Sequence, residues 1–212
     1  MTLITPELML RAYAYGVFPM ARSQGDPTVY WIDPDERGIL PLDTNFHISR
    51  SLRKTLRSDR FHVTCNKAFA EVIQGCAEAT TTRPDTWINK EIESLFNELH
   101  DMGLAHSIET WNAENVLVGG LYGLALGGAF FGESMFSRAT DASKVALCHL
   151  VGRLRLGSFM LLDAQFITDH LSRFGARKVP KNEYRSMLAA AIVIQATFPV
   201  HAPEWTIRSH IY

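Results

Sequence analysis

A chain of 212 residues with 47% apolar side chains is long enough to bury a substantial core, as one enzyme-sized unit or a domain with a small appendage. Its 21 basic and 22 acidic residues leave a formal charge of -1, which excludes a globally basic nucleic-acid binder or membrane-surface protein and makes any basic surface local. Cys65, Cys76 and Cys148 are odd in number and lack C-x-x-C spacing, which argues for buried free thiols in a reducing compartment rather than disulfides or a zinc site.

Thr5-Pro6-Glu7 starts a first helix that stops at Gly16, with Thr5 as cap and Pro6 at the first helical position. Its apolar residues, Leu8 to Phe18, are broken by Arg11 and Gly16; no signal peptide or membrane span is expected there, and the location is expected to be cytoplasmic. After Phe18-Pro19-Met20 the segment Ala21 to Thr28 reads as loop, and Val29 to Ile32 and Gly38 to Leu42 as short strands around the turn Asp33 to Glu36. This part suggests a small N-terminal domain over residues 1–45, followed by a larger domain over 46–212. Ser49 caps a helix to about Asp59, Phe61 to Cys65 is a strand, and Lys67 to Ala77 and Lys90 to Met102 are helices, the latter ended by Gly103. Three strands follow, His106 to Trp111, Val116 to Leu124 and Ala129 to Phe136, the first two joined by a turn at Asn112 to Asn115. Two more helices are expected, over Thr168 to Phe174, closed by Gly175, and over Glu183 to Ile194.

The segment Gly132-Glu133-Ser134-Met135-Phe136-Ser137-Arg138 and the later Leu161-Leu162-Asp163-Ala164-Gln165 carry strong polar groups among apolar neighbours. Between them, Asp141 to Gly157 has apolar residues at helical spacing. Strand, helix, strand follows, and a crossover of this length makes the two strands parallel neighbours with right-handed connection. Glu133 and the Asp163/Gln165 pair can then face one cleft, the last two sharing a strand face because they are two apart. The plainer reading is a buried, hydrogen-bonded polar cluster. The order of elements predicts an α/β fold of the α+β kind, a mixed sheet with helices on both faces.

A second feature is a basic helix. Arg50, Arg53, Lys54 and Arg57 recur at three and four and line one face, while Leu52 and Leu56 turn inward; His47, Arg60 and His62 flank it, with Asp59 the single acid among them. Such a face is commonly just solvated, yet in a near-neutral chain local positive charge is what phosphate binding needs, and a nucleic-acid stem is a plausible partner.

Phe18-Pro19, Trp31 to Pro34, His47 to Ser51, Thr86-Trp87-Ile88, His106 to Glu109, Val118 to Gly123, Gly132 to Arg138, Ala142-Ser143-Lys144 and Asp163-Ala164-Gln165 resemble, in that order, the motifs of the leucyl/phenylalanyl-tRNA protein transferase family, over about Leu8 to Pro180. The resemblance implies an N-acetyltransferase-like domain after a small N-terminal domain. It implies an aminoacyltransferase that moves Leu or Phe, and less readily Met, from charged tRNA to proteins beginning with Arg or Lys, marking them for degradation, with no cofactor. It places Asp163, Gln165 and Glu133 at the catalytic positions: Gln165 to hydrogen-bond the reacting amine, Asp163 to polarise it or hold its geometry, and Glu133 either to orient Gln165 or to receive the donor's charged amino group. It places Met20, Trp87, Leu121, Phe130, Gly132, Met135, Leu154 and Leu162 around the donor side chain and terminal adenine. Of these, Met20 stands where the family often has Trp, and Leu121 and Leu154 where Met and Phe occur. The basic helix would then meet the tRNA. Without the resemblance, each apolar residue would read as core packing.

The chemistry asks little of the protein. The donor is an ester, and the acceptor amine, with a reference pKa of about 7.7–8.0, is already partly free base near neutrality. What remains is to position two reactants, relieve the proton of the amine and stabilise the tetrahedral oxyanion. A coenzyme-A-dependent N-acetyltransferase is the alternative enzyme, but Arg138 to Ser143 carries Asp141 where a pyrophosphate turn needs its first glycine. A non-catalytic RNA-binding module would leave Glu133, Asp163 and Gln165 idle. No G-x-S-x-G elbow occurs, and His100, His106, His149 and His170 lack metal spacing. The glycines at 119, 120, 123, 127 and 128 sit within strands, where they serve twist and close packing rather than a dinucleotide loop.

Overall fold

The structure, a computed structural model, describes residues 4–58, 60–81 and 84–212. α1 (Pro6–Ala14) begins where the Thr5 hydroxyl accepts from the Leu8 N–H at 3.3 Å, and the chain leaves it through Gly16 at φ +82°. β1 (Phe18–Met20) pairs antiparallel with β2 (Tyr30–Ile32) in a small two-stranded sheet. The sequence predicts no strand at Phe18–Met20, because three residues with a central proline show no period. The two short strands expected around the Asp33 to Glu36 turn do not pair with each other. β3 (Glu36–Leu40) instead enters the main sheet between two later strands, so the boundary expected at 45/46 falls beyond a strand of that sheet.

The chain continues through α2 (Arg50–Arg57), β4 (His62–Cys65), α3 (Phe69–Ala77), α4 (Lys90–Asp101), β5 (Ala105–Trp111), β6 (Leu117–Leu126), β7 (Ala129–Ser137), α5 (Ala142–Leu156), β8 (Leu161–Gln165), α6 (Asp169–Ser172), β9 (Arg177–Pro180), α7 (Lys181–Ile192) and α8 (Glu204–Ser209). Asp59, at the expected end of the basic helix, lies outside the described residues. β9 and α8 have no counterpart in the sequence expectation: one is a four-residue strand with Arg177 and Lys178 exposed, the other six residues behind Pro203.

The main sheet has seven strands in the order β4-β5-β6-β7-β8-β3-β9, and among these only β7 and β8 are parallel, joined by α5 as the spacing predicts. Alternation along the strands separates two apolar clusters. Tyr122, Phe131 and Leu161 pack with α1, α3, α4 and α7 on one face, while Leu121, Phe130 and Leu162 pack with α2 and α5 on the other. Helices therefore cover both faces. α5 comes closest at Gly119, where an added Cβ would lie 2.6 Å from that of Ala142.

Two histidines lie inside this core. His149 is 1% exposed with Nδ1 unpartnered, and His106 stacks on Phe198 at 4.1 Å; burial pushes both down to about 4. Unfolded histidines titrate near about 6.5, so between there and 4 the unfolded chain binds more protons. Stability present above pH 6.5 is therefore lost as pH falls, by at most about 1.4 kcal/mol per pH unit for each histidine. Replacing His149 by Leu should flatten that loss without lowering stability at pH 7. Urea unfolding at pH 7 and 5 tests this, and an unchanged acid slope in His149→Leu would show that the imidazole charges in the folded state.

Candidate active site

The parallel pair parts early. β7 and β8 pair at Ala129↔Leu161, Phe130↔Leu162 and Phe131↔Asp163, after which β7 continues along β6 to Ser137 while β8 turns away at Gln165. Two bulges sit at the parting. Gly132 and Ser134 face Gly123 and Tyr122, leaving Glu133 unpaired, and Asp163 and Gln165 face Ile39 and Gly38, leaving Ala164 unpaired. A bulge bends its strand and re-aims side chains. Gln165 is further displaced by a left-handed backbone at φ +53°. The wedge between the strands is a cavity of about 290 Å³ whose walls include Glu133, Asp163 and Gln165.

The three polar residues are in unlike states. Asp163 is fully buried: Arg37 Nε donates to both its oxygens at 3.0 Å, Arg37 Nη2 to Oδ2 at 2.7 Å, the Tyr184 hydroxyl to Oδ2 at 2.6 Å, and the Gln165 backbone N–H to Oδ1 at 2.8 Å. Gln165 Nε2 donates to Glu133 Oε1 at 3.1 Å, which leaves the amide oxygen of Gln165 as an acceptor and its second N–H as a donor for a ligand. Burial pushes the Glu133 carboxyl up to about 8, and the nearby Asp163 adds to the rise against the opposing pull of Tyr13, Arg37 and Gln165. The Tyr13 hydroxyl, from α1, is buried beside Glu133 but does not meet hydrogen-bond geometry with it. Burial and Asp163 likewise push the Tyr184 hydroxyl far up, so it stays a donor. Arg37 and Tyr184 escape sequence reasoning because neither sits in a recognisable spacing, and Arg37 falls between the expected turn and the expected strand.

The rest of the cavity wall is mostly apolar, with Tyr122, Ser134, Thr168 and His170 as its other polar members. Met20, Trp87, Leu121, Gly132, Met135 and Leu162 line it, together with Phe18, Leu147, Leu150 and Phe166, which sequence reasoning did not select. Phe130 and Leu154, expected in the same pocket, do not reach it; both are fully buried in the core cluster under α5. Phe130 shares its sheet face with Leu121 and Leu162 but pairs with Leu162 before the strands part, so it stays within the packed layer between the sheet and α5. Gly132 has room for a methyl group, since an added Cβ would make only ordinary contact with Asp163 O at 3.4 Å and a Leu162 methyl at 3.9 Å.

Arg50, Arg53, Lys54 and Arg57 are all exposed on α2, whose Leu52 and Leu56 are buried as expected. Among the described residues none of the four pairs with a carboxylate, while Arg53 and Arg57 lie 5.6 and 5.4 Å from the centre of the Tyr212 ring. At the start of α5, Asp141 adopts φ +71°, and its carboxylate accepts from Lys144 at 2.7 Å and from Thr55 of α2 at 3.4 Å. A carboxylate thus occupies the turn where an N-acetyltransferase would cradle pyrophosphate. Cys65, Cys76 and Cys148 are buried and form no disulfide with one another, and burial pushes Cys65 and Cys148 up to about 12, so these two offer no thiolate near neutrality. Among the described residues no His, Cys, Asp or Glu cluster is placed to hold a metal ion, and no helix is long and apolar enough to cross a membrane.

Comparison with known proteins shows the family of the chain. The family model for leucyl/phenylalanyl-tRNA protein transferase matches residues 39–189, and that for its N-terminal domain matches residues 3–35. A leucyl/phenylalanyl-tRNA-protein transferase of Paramagnetospirillum magneticum is 58% identical over 94% of this chain and 94% of its own. Those of Rhodospirillum rubrum and Rhizorhabdus wittichii are 57% and 59% identical over 95% and 92% of this chain and 93% and 78% of theirs. Among solved structures, a spermidine N-acetyltransferase variant from Vibrio cholerae overlaps 48% of this chain and 64% of its own at TM-score 0.29 and 11% identity.

The division between cavity and core is measurable. Leu154→Ala, at a site with no open space, should cost about 2–5 kcal/mol of stability, as buried leucine truncations do. Gly132→Ala should change stability by no more than about 0.5 kcal/mol, because its methyl makes only ordinary contacts beside the cavity. Chemical unfolding of both variants checks this, and equal losses would place Gly132 in packed core.

Proposed function

Because the chain belongs to the leucyl/phenylalanyl-tRNA protein transferase family, we propose that it moves Leu or Phe, and less readily Met, from charged tRNA to the N-terminal amine of proteins beginning with Arg or Lys, marking them for degradation in the cytoplasm. The observation that carries this reading is the junction of an apolar cavity with the Gln165–Glu133 hydrogen bond in its wall. Leu, Phe and Met share little but size and apolarity, and a cavity of about 290 Å³ lined by Met20, Trp87, Leu121, Met135 and Leu162 suits a side chain of that class.

The Gln165 amide oxygen accepts an N–H of the acceptor amine and turns the nitrogen lone pair toward the ester carbonyl. Attack forms the C–N bond and a tetrahedral oxyanion; its collapse breaks the bond to the ribose oxygen, which leaves with the proton released by the amine. Glu133 fixes the Gln165 amide so that its oxygen, not its NH2, faces the amine. Asp163, with both oxygens occupied and no exposed surface, acts through Gln165 and not on the substrate. Of the two roles open to Glu133, orienting Gln165 is the one the 3.1 Å bond supports.

The direct test is incubation with Phe-tRNA and a peptide starting with Arg, followed by mass measurement, with acetyl-coenzyme A in parallel. A gain of one phenylalanyl residue is expected, and acetylation in its place would overturn the reading. Gln165→Ala should lower turnover by roughly 10²-fold, the cost of misplacing a reacting group, at nearly unchanged tRNA affinity.

The pH dependence separates enzyme from substrate. Only the carboxylate form of Glu133 is a strong acceptor for the Gln165 N–H, and it loses its proton near pH 8. The acceptor amine loses its own near about 7.7–8.0. Below both values the single-turnover rate should therefore rise with two protons lost, and in Glu133→Gln with one. A first-power rise in both proteins would remove Glu133 from the titration.

The exposed, carboxylate-free face of α2 fits tRNA phosphates. Each contact releases condensed counterions, so affinity should fall with salt, and Arg53→Ala/Arg57→Ala should flatten that slope by about two contacts' worth, each near 0.9 in the logarithm. The loss should not depend on the attached amino acid. Superimposable salt curves for Phe-tRNA binding would remove this helix from the site.

A further inference from the structure

The expected catalytic carboxylate, Asp163, is held by a residue more than a hundred positions away in the chain. Arg37 is 1% exposed, and its guanidinium lies between the rings of Phe18 and Tyr184, 4.4 and 4.6 Å from their centres. Nε and Nη2 bind Asp163, while Nη1 donates to the Gly16 carbonyl at 2.8 Å, where α1 ends. The Tyr184 hydroxyl occupies the remaining direction on Oδ2. Asp163 in turn holds the Gln165 N–H, and Gln165 sits at φ +53°, a conformation a residue with a side chain takes only where its surroundings impose it. Glu133, one helix-end away, faces Tyr13 of the same α1 that Arg37 anchors.

We infer that Arg37, with Tyr184, is a positioning pair for the transfer reaction: they clamp the Asp163 carboxylate so that it fixes the Gln165 backbone, and thereby aim the Gln165 amide at Glu133 and at the acceptor amine. This rests on the transferase reading above. Neither residue touches the cavity's contents, so their contribution lies in geometry and not in binding. A displacement of the reacting group of about 1 Å can cost on the order of 10²-fold in rate. Arg37 cannot be exchanged freely, because its rigid fork serves Asp163 and the Gly16 carbonyl at once, which a lysine could not do.

The mildest probe is Tyr184→Phe, which keeps the ring against Arg37 and removes one donor to Asp163. Its turnover number should fall on the order of 10-fold, with Phe-tRNA affinity and the acceptor KM within about twofold of wild type. The Gln165 backbone amide resonance should move, reporting the weakened bond to Asp163. Arg37→Gln alone leaves a buried carboxylate unpaired and risks unfolding. The double variant Arg37→Gln/Asp163→Asn removes both charges while leaving an acceptor for the Gln165 N–H; it should fold, bind Phe-tRNA normally and recover part of the turnover that Asp163→Ala loses. Wild-type turnover in folded Tyr184→Phe overturns the inference alone, as does a loss of tRNA affinity in proportion to rate, which marks mere scaffolding. No rescue by the neutral pair over Asp163→Ala also overturns it, since the Asp163 charge would then be needed for more than positioning. If wild-type protein transfers nothing to the peptide, the transferase reading itself falls, and the inference with it.

Discussion

A single parallel pair in an otherwise antiparallel sheet has to separate somewhere, because its two strands enter from a helix crossover and leave toward different neighbours. Here β7 stays with β6 and β8 stays with β3, and the separation comes immediately after Phe131↔Asp163. Backbone groups released by the parting still require partners. One bulge on each strand accommodates the change of register, and the unpaired residues are Glu133 and Ala164, next to the polar cluster. The cavity is the space so opened, and the apolar wall comes from the strands and from α5, which made the pair parallel in the first place.

Two carboxyl groups in one buried wedge cannot both be ionised cheaply. The structure resolves this by unequal partners. Asp163 receives a guanidinium and a hydroxyl, a full complement for a buried carboxylate, whereas Glu133 receives one amide N–H and rises to about 8. The Arg37–Asp163 pair also ties β3, β8 and the end of α1 together, and the segment matched by the N-terminal family model lines the same wedge through Phe18 and Met20.

In the proposed reading, affinity and selectivity lie on different surfaces. The exposed cations of the amphipathic α2 would supply a long-range, salt-sensitive attraction that reads no sequence, while the cavity would judge side chains by size and polarity. The near-zero net charge is compatible with this because the basic face is confined to two turns of helix. Thr55 of α2 reaches Asp141 at the start of α5, so the surface helix and the cavity wall share a support.

What the sequence by itself determined is what local periodicity and short motifs encode. The helices with capped starts and glycine ends, the β5 to β7 meander, the parallel crossover to β8 and the inward turn of Leu52 and Leu56 all follow from spacing, because each depends on neighbours within a few residues. The ordered motifs were enough to indicate the family. Only the tertiary structure decided which strand β3 joins, that Phe130 and Leu154 are core and not cavity, and that Asp163 is enclosed by Arg37 and Tyr184. Alternation in a strand states which face a residue takes but not how far the sheet has parted at that point, and a bulge shifts the face without leaving any periodic trace. The partners of a buried charge are chosen by where distant segments meet, and nothing in the spacing around Asp163 carries information about a guanidinium on another strand.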